Sequence, residues 1–265
     1  MKPIRGYADG PFGQLHYQVC GEGIPLILCH QTLTSSVQFQ KAYPLLADAG
    51  VQAIGVDMPG FGMSDRPQSL PTIADYATMI PAILDHFDLG SASLLGHHTG
   101  SMIVNEAALL WPDRIDKVIH NGPVPFTDEE LETIIGAAVA REKAWHVKPD
   151  GTHLQELWDS RARATQGWTD LESMNRQVVY GLLAGEFYWY AHNAVSQYDQ
   201  AAALKKLEQP TLILTNTGDG IYFLATRTRE IRPDFAYVEL EGGTHDIVDE
   251  QPEAWTEAVV GFLKA

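Results

Sequence analysis

Short aliphatic runs recur along the chain and alternate with stretches of helical period. Ile24–His30, Gln52–Asp57, Ser93–His97, Lys117–Asn121, Thr211–Thr215 and Phe235–Leu240 are brief, apolar and closed by a Gly, Asn, Asp or His cluster, which predicts strands. Several have no polar alternate face, as strands covered by helices on both sides should. Tyr7–Gly21 alternates more clearly and carries Gly10-Pro11 and Gly13, the pattern of an antiparallel hairpin at a sheet edge. Helical periodicity occupies Ile73–Phe87, Thr99–Trp111, Tyr222–Ile231 and Gln251–Leu263. Alternation of this kind predicts an α/β fold with a mostly parallel sheet.

From Thr127 to about Gln209 the alternation stops, leaving helical periodicity broken at Pro149-Asp150-Gly151, Gly167 and Gly185. This predicts one domain, with a core of residues 1–126 and 210–265 and a helical cap inserted as 127–209. The insertion holds Trp145, Trp158, Trp168 and Trp189 and the run Phe187–Tyr190. Some of these aromatics are expected to bury area against the core, and others to roof an apolar pocket.

Charge narrows the function. Eighteen Lys+Arg stand against 34 Asp+Glu, a net charge of −16, which leaves no surplus cation to displace counterions from nucleic acid or to hold an anionic membrane. No apolar run approaches the ~20 residues of a membrane span, and the amino terminus has no apolar signal segment. Two cysteines, Cys20 and Cys29, cannot build a disulfide framework and suit a reducing compartment. The expected setting is cytoplasmic and the expected partner a small molecule; the oligomeric state stays open, with a homodimer among the choices.

The informative segment is Gly96-His97-His98-Thr99-Gly100, which follows a predicted strand and opens a predicted helix. Glycines two before and two after the central residue permit a very tight strand-to-helix turn. Further along stand Cys29-His30-Gln31-Thr32, Asp57-Met-Pro-Gly-Phe-Gly-Met-Ser-Asp65, Asn216-Thr-Gly-Asp219 and Gly242-Gly-Thr-His245. Together these resemble the landmarks of the α/β-hydrolase fold: the G-x-S-x-G nucleophile elbow, the oxyanion loop, the D-x-P-G-x-G-x-S-D loop, the acid and the late histidine, in the family's order. The resemblance covers nearly the whole chain. It implies an α/β-hydrolase fold with His98, Asp219 and His245 as catalytic residues, Thr32 and Thr99 as backbone oxyanion donors, Gln31 as a further substrate-binding group, and no organic cofactor.

The chain departs from that pattern at residue 98, where the family carries Ser, Cys or Asp, and at Gln31, where it usually has Gly. Without a hydroxyl or carboxylate at 98, the ordinary serine esterase and the dehalogenase or epoxide hydrolase routes are excluded. The resemblance implies that Asp219 orients His245 as a general base. A helix N-terminus and a second imidazole would both disfavour a cation on His98. Four chemistries stay open: water activated by His245–Asp219 on an ester, thioester or activated C–C bond; a His98 nucleophile forming an acyl-imidazole; non-hydrolytic acid–base work as a lyase, decarboxylase or cofactor-free oxygenase; and silent ligand binding. Hydrolysis of a small, apolar or aromatic carbonyl compound is the leading expectation.

Each candidate has a plainer role. The plainer role of His98 is to fill the pocket; His97 is expected to pack in the core and His30 to hydrogen-bond structurally. Asp57 is expected to hold its glycine-rich loop, Asp246 to face solvent or cap a helix, and Cys29 to be an inert buried thiol. A metal held by His30, His98 and His245 with Asp219 satisfies a ligand count, yet it would need Asp219 away from His245, so no metal is expected.

Overall fold

The computed structural model describes residues 1–265. Eight strands form one sheet: β1 (Ile4–Gly10), β2 (Gly13–Cys20), β3 (Ile24–Cys29), β4 (Val51–Val56), β5 (Ala92–His97), β6 (Ile115–Asn121), β7 (Thr211–Asn216) and β8 (Ala236–Leu240), in the order β1-β2-β4-β3-β5-β6-β7-β8. The β1–β2 hairpin lies at one edge and pairs antiparallel with β4; all other pairings are parallel. In chain order the helices are α1 (Ala42–Asp48), α2 (Ile73–Ala77), α3 (Met79–His86), α4 (Thr99–Leu110), α5 (Asp128–Glu130), α6 (Gly136–Ala144), α7 (Thr152–Ala164), α8 (Leu171–Ala184), α9 (Trp189–Val195), α10 (Gln200–Leu204), α11 (Tyr222–Ile231), α12 (Ile247–Glu250) and α13 (Pro252–Lys264). This is the expected α/β-hydrolase fold.

The two-residue period of the strands sorts the core into two layers. Ile27, Cys29, Ile54, Val56, Leu94 and Ile213 pack with residues of α2, α3 and α4 on one face. Leu26, Leu28, Ala53, Leu95, Leu212 and Leu214 pack with Tyr43, Leu46, Trp255 and Val259 of α1 and α13 on the other. Both faces are buried, which is why the central strands read as unbroken apolar runs.

Two expectations about helices need correction. Ile73–Phe87 is two helices: Pro81 lacks an N–H and its ring clashes with the carbonyl four residues back, and α2 stops at that residue, Ala77. The short α1, with Pro44 in its first turn, went unpredicted. Between β6 and β7 the chain contains helices and no strand. No helix is long and apolar enough to cross a membrane.

Parallel register brings Cys29 beside Gly96, His97 beside Asn121, and Asn121 beside Leu214. The carboxyl ends of β3, β5, β6 and β7 therefore share one edge, and the loops leaving it carry Gln31 and Thr32, His98, Gly122 and Asp219. That edge is the usual position of sites in α/β sheets.

Candidate active site

His98 sits between β5 and α4 with φ 46° and ψ −106°, a backbone geometry that costs about 1–3 kcal/mol and persists only where its surroundings dictate it. A Cβ on Gly96 would collide with the backbone of Gly100, and one on Gly100 with the carbonyl of Cys29. The two glycines let α4 start directly over the strand ends. His98 N–H still donates to Asn121 O at 3.0 Å, extending the ladder one residue past β5.

The turn brings the three predicted residues together, with Asp219 between the two rings. His98 Nε2 lies 2.7 Å from Asp219 Oδ2, and His245 Nδ1 lies 2.7 Å from Asp219 Oδ1. The ring centroids of His98 and His245 are 4.2 Å apart. Asp219 thus serves both rings rather than His245 alone. Asn216 fixes the loop of His245 by donating to the carbonyls of Gly242 (3.0 Å) and Thr244 (3.1 Å). Burial works to raise the pKa of Asp219, but the two imidazoles outweigh it and hold the group well below the ordinary carboxylate range.

His98 Nδ1 meets Gln31 Oε1 at 3.0 Å. The orientation of that amide is set on its other side, where Nε2 donates to Asp246 Oδ1 at 2.9 Å and faces His245 O at 3.5 Å. The ring therefore faces two acceptors. A neutral imidazole satisfies one; an imidazolium satisfies both. Burial first, and then His245, pull the pKa of His98 down, with Asp219 opposing them. In either state both ring nitrogens point at protein atoms. His245 differs: its Nδ1 is bonded, its ring is 24% exposed and it lines a cavity.

Gln31 lines the cavity, and both ends of its amide have protein partners, His98 and Asp246. The backbone N–H of Thr32 makes no backbone bond, and that of Thr99, first residue of α4, has no partner within the helix. Both residues line the cavity, and their hydroxyls bond each other at 2.5 Å. His30 is structural: Nδ1 bonds Gln31 O at 2.7 Å and Nε2 accepts from Met58 N at 2.9 Å. His97 bonds Gln38, and Asp57 accepts from Ser36 N at 2.7 Å and Met63 N at 2.9 Å. The donor atoms of His98, Asp219 and His245 lie within 4.8 Å of one another; they are already hydrogen-bonded in pairs, and His30 is not among them.

A family model described as alpha/beta hydrolase fold matches residues 24–252. The chain belongs to the α/β-hydrolase fold family. Among similar members, the 2-(acetamidomethylene)succinate hydrolase of Mesorhizobium japonicum is 24% identical over 255 residues, covering 92% of this chain and 90% of that one. The (E)-2-((N-methylformamido)methylene)succinate hydrolase of Acinetobacter baylyi is 28% identical over 212 residues, 77% and 76% of the two chains. The crystal structure of a bromoperoxidase from Bacillus anthracis superposes with a TM-score of 0.85 at 23% identity over 99% of this chain and 100% of that one. Such different names on one fold mean that the site must decide the chemistry.

In this α/β-hydrolase the cavity has a volume of about 210 Å³ and is lined by fifteen residues, eleven of them polar or charged. Only Leu33, Leu157, Ala164 and Val178 are apolar; Arg141, Glu142, Ser160, Arg161, Gln177 and His192 line it from the helical segment. None of the four tryptophans of that segment does. Trp145 and Tyr188 instead line a neighbouring cavity, their rings edge to face with centroids 5.5 Å apart. The expected aromatic roof over this pocket is therefore corrected: none of the four tryptophans lines it.

Asp246 is also corrected. It stands at the N-cap position of α12, but its side chain makes no capping bond; it is buried rather than solvent-facing, pairs with Arg161 of α7 and accepts from Gln31. A continuous polar path thus runs Arg161–Asp246–Gln31–His98–Asp219–His245. Arg141, Glu142, Arg161 and Gln177 escaped sequence reasoning because helical period shows which residues share a face, not what that face meets. Only His192, two residues after Tyr190, carried a hint.

Proposed function

We propose that the protein hydrolyses a small, carboxylate-bearing carbonyl compound (ester, thioester or activated C–C bond), with water activated by His245 and Asp219. The observation that carries this is the contrast between the two rings. Both nitrogens of His98 face protein acceptors, Asp219 and Gln31, so neither is presented to a substrate for an acyl-imidazole, whereas His245 has Nε2 free beside the cavity. His98, standing where the family carries its nucleophile, then anchors Asp219. The free N–H groups of Thr32 and Thr99 would hold the oxyanion that forms as water adds.

The substrate class follows from the wall. Arg141 is exposed to the cavity and has no carboxylate partner, which suits an anionic substrate better than the apolar one the sequence suggested. Two similar proteins are named for substituted succinates, which are carboxylates. The helices of 127–209 act as a cap in this proposal, and two free, buried cysteines support a cytoplasmic setting.

Half-esters of succinate test the proposal. Wild type should hydrolyse them, His245→Ala should lose on the order of 10³-fold or more, and no acyl group should appear on His98 by mass spectrometry. Absence of turnover with tight capture of the compounds would leave a binding protein. The lack of a nucleophile at 98 also favours proton transfer without hydrolysis, which exchange of substrate C–H with deuterium from solvent would reveal.

A further inference from the structure

We propose that Glu142 and His192 form a second proton-transfer pair in the same cavity, one that protonates the atom leaving the scissile carbonyl. This rests on the hydrolytic proposal above. His192 Nδ1 lies 2.7 Å from Glu142 Oε1, the same distance and the same ring nitrogen as in the His245–Asp219 pair. Both residues line the cavity that holds His98 and His245. The core supplies one imidazole–carboxylate pair to this volume, and α6 with α9 supplies the other.

Structural packing alone does not account for the pair. The Glu142 side chain is 2% exposed, yet its Oε2 is buried without a hydrogen-bond partner. A buried carboxylate oxygen left bare is costly, and it is on a residue that borders the cavity. A ligand N–H or O–H would satisfy it. The His192 ring, 22% exposed, has only Nδ1 bonded, which leaves Nε2 for a ligand. Glu142 accepts from Nδ1–H, as Asp219 does for His245, and so fixes which ring nitrogen is left for a ligand.

The protons and electrons balance as follows. His245 Nε2 takes a proton from water, and the water oxygen bonds to the carbonyl carbon. As the adduct collapses, the bond to the leaving oxygen breaks with both electrons, and His192 Nε2–H gives that oxygen its proton. His245 ends protonated and His192 neutral, and exchange with solvent restores both.

Leaving-group dependence tests this pair separately from His245. Ethyl hydrogen succinate expels an alkoxide that needs a proton, whereas 4-nitrophenyl hydrogen succinate expels a stable phenolate that needs little help. His192→Gln should lose ~10²-fold in kcat on the ethyl ester and under tenfold on the nitrophenyl ester. Glu142→Gln should steepen the dependence in the same direction; if it fails to fold, the His192 variant decides alone. Equal losses on the two esters, or no loss, would overturn the pair while leaving His245 as the base. Failure of wild type to cleave either ester would overturn both proposals together.

Discussion

The Nδ1 of His98 lies 3.0 Å from Oε1 of Gln31, and the same amide donates to Asp246 from its other end. Gln31 is therefore the joint between the ring at the strand-to-helix turn and the ion pair that Asp246 makes with Arg161 of α7. Gln31→Met keeps the volume and removes both bonds. His98 Nδ1 and Asp246 then lose one partner each in a buried setting, for which about 1–3 kcal/mol of stability should be lost. A urea unfolding midpoint measures it, and a midpoint equal to wild type would mean that the amide does not hold this joint.

Gly122 leaves β6 with φ 61°, and a Cβ there would stand 2.6 Å from Cδ2 and Nε2 of His98. The imidazole fits at the turn because the residue that follows the neighbouring strand has no side chain. Gly122→Ala should destabilise the fold and push the ring off Asp219. In combination with His98→Ala the steric part disappears and only the strain of positive φ remains. The double variant should therefore be more stable than the sum of the two single losses, by on the order of 1 kcal/mol. Simple additivity in unfolding experiments would show that the two positions do not meet.

Replacing the ring by a hydroxyl asks whether the remaining machinery suits a covalent route. In His98→Ser, Asp219 and His245 stay paired and the Thr32 and Thr99 N–H groups stay in place. Incubation with 4-nitrophenyl hydrogen succinate should give a burst of nitrophenolate and a succinyl adduct on residue 98 that wild type does not form. A variant that shows neither would place His245 out of reach of a nucleophile at this position.

Sequence carried the framework and the chemistry of the strand ends far better than the wall facing them. The strands and the edge hairpin follow from local patterns of aliphatic runs and glycines, and the convergence of residues 98, 219 and 245 from the resemblance to the ordered α/β-hydrolase landmarks. Asp219 bonding both rings depends on the rotation of His98 over Gly122, which no spacing encodes. Asp246 next to a catalytic candidate looked like a surface charge; it is buried because Arg161, 85 residues earlier, reaches it. The tryptophans suggested an apolar roof, yet none lines the cavity, and Trp145 packs edge to face with Tyr188 instead.

Asp249 supplies the pH dependence. It bonds Arg176 and Gln177 of α8, each at 3.0 Å, and burial raises its pKa to about 6 against the pull of those donors and Lys41. Between about 4 and 6 the folded protein keeps a proton that the unfolded chain has released, so this group's contribution to stability falls as pH rises through that window. Above pH 6 its full cost is present, ~3 kcal/mol at most from the size of the shift. Asp249→Asn cannot ionise and lacks that slope. Relative to wild type, the variant should therefore gain stability from pH 4 to pH 7, as read from unfolding midpoints at both values. Because all other groups are shared by the two proteins, a difference independent of pH would assign the titration to a different carboxylate. Gln177 lines the cavity and bonds Thr34 as well as Asp249, so protonation of Asp249 below pH 6 weakens a tie between α8 and α12 beside the candidate site.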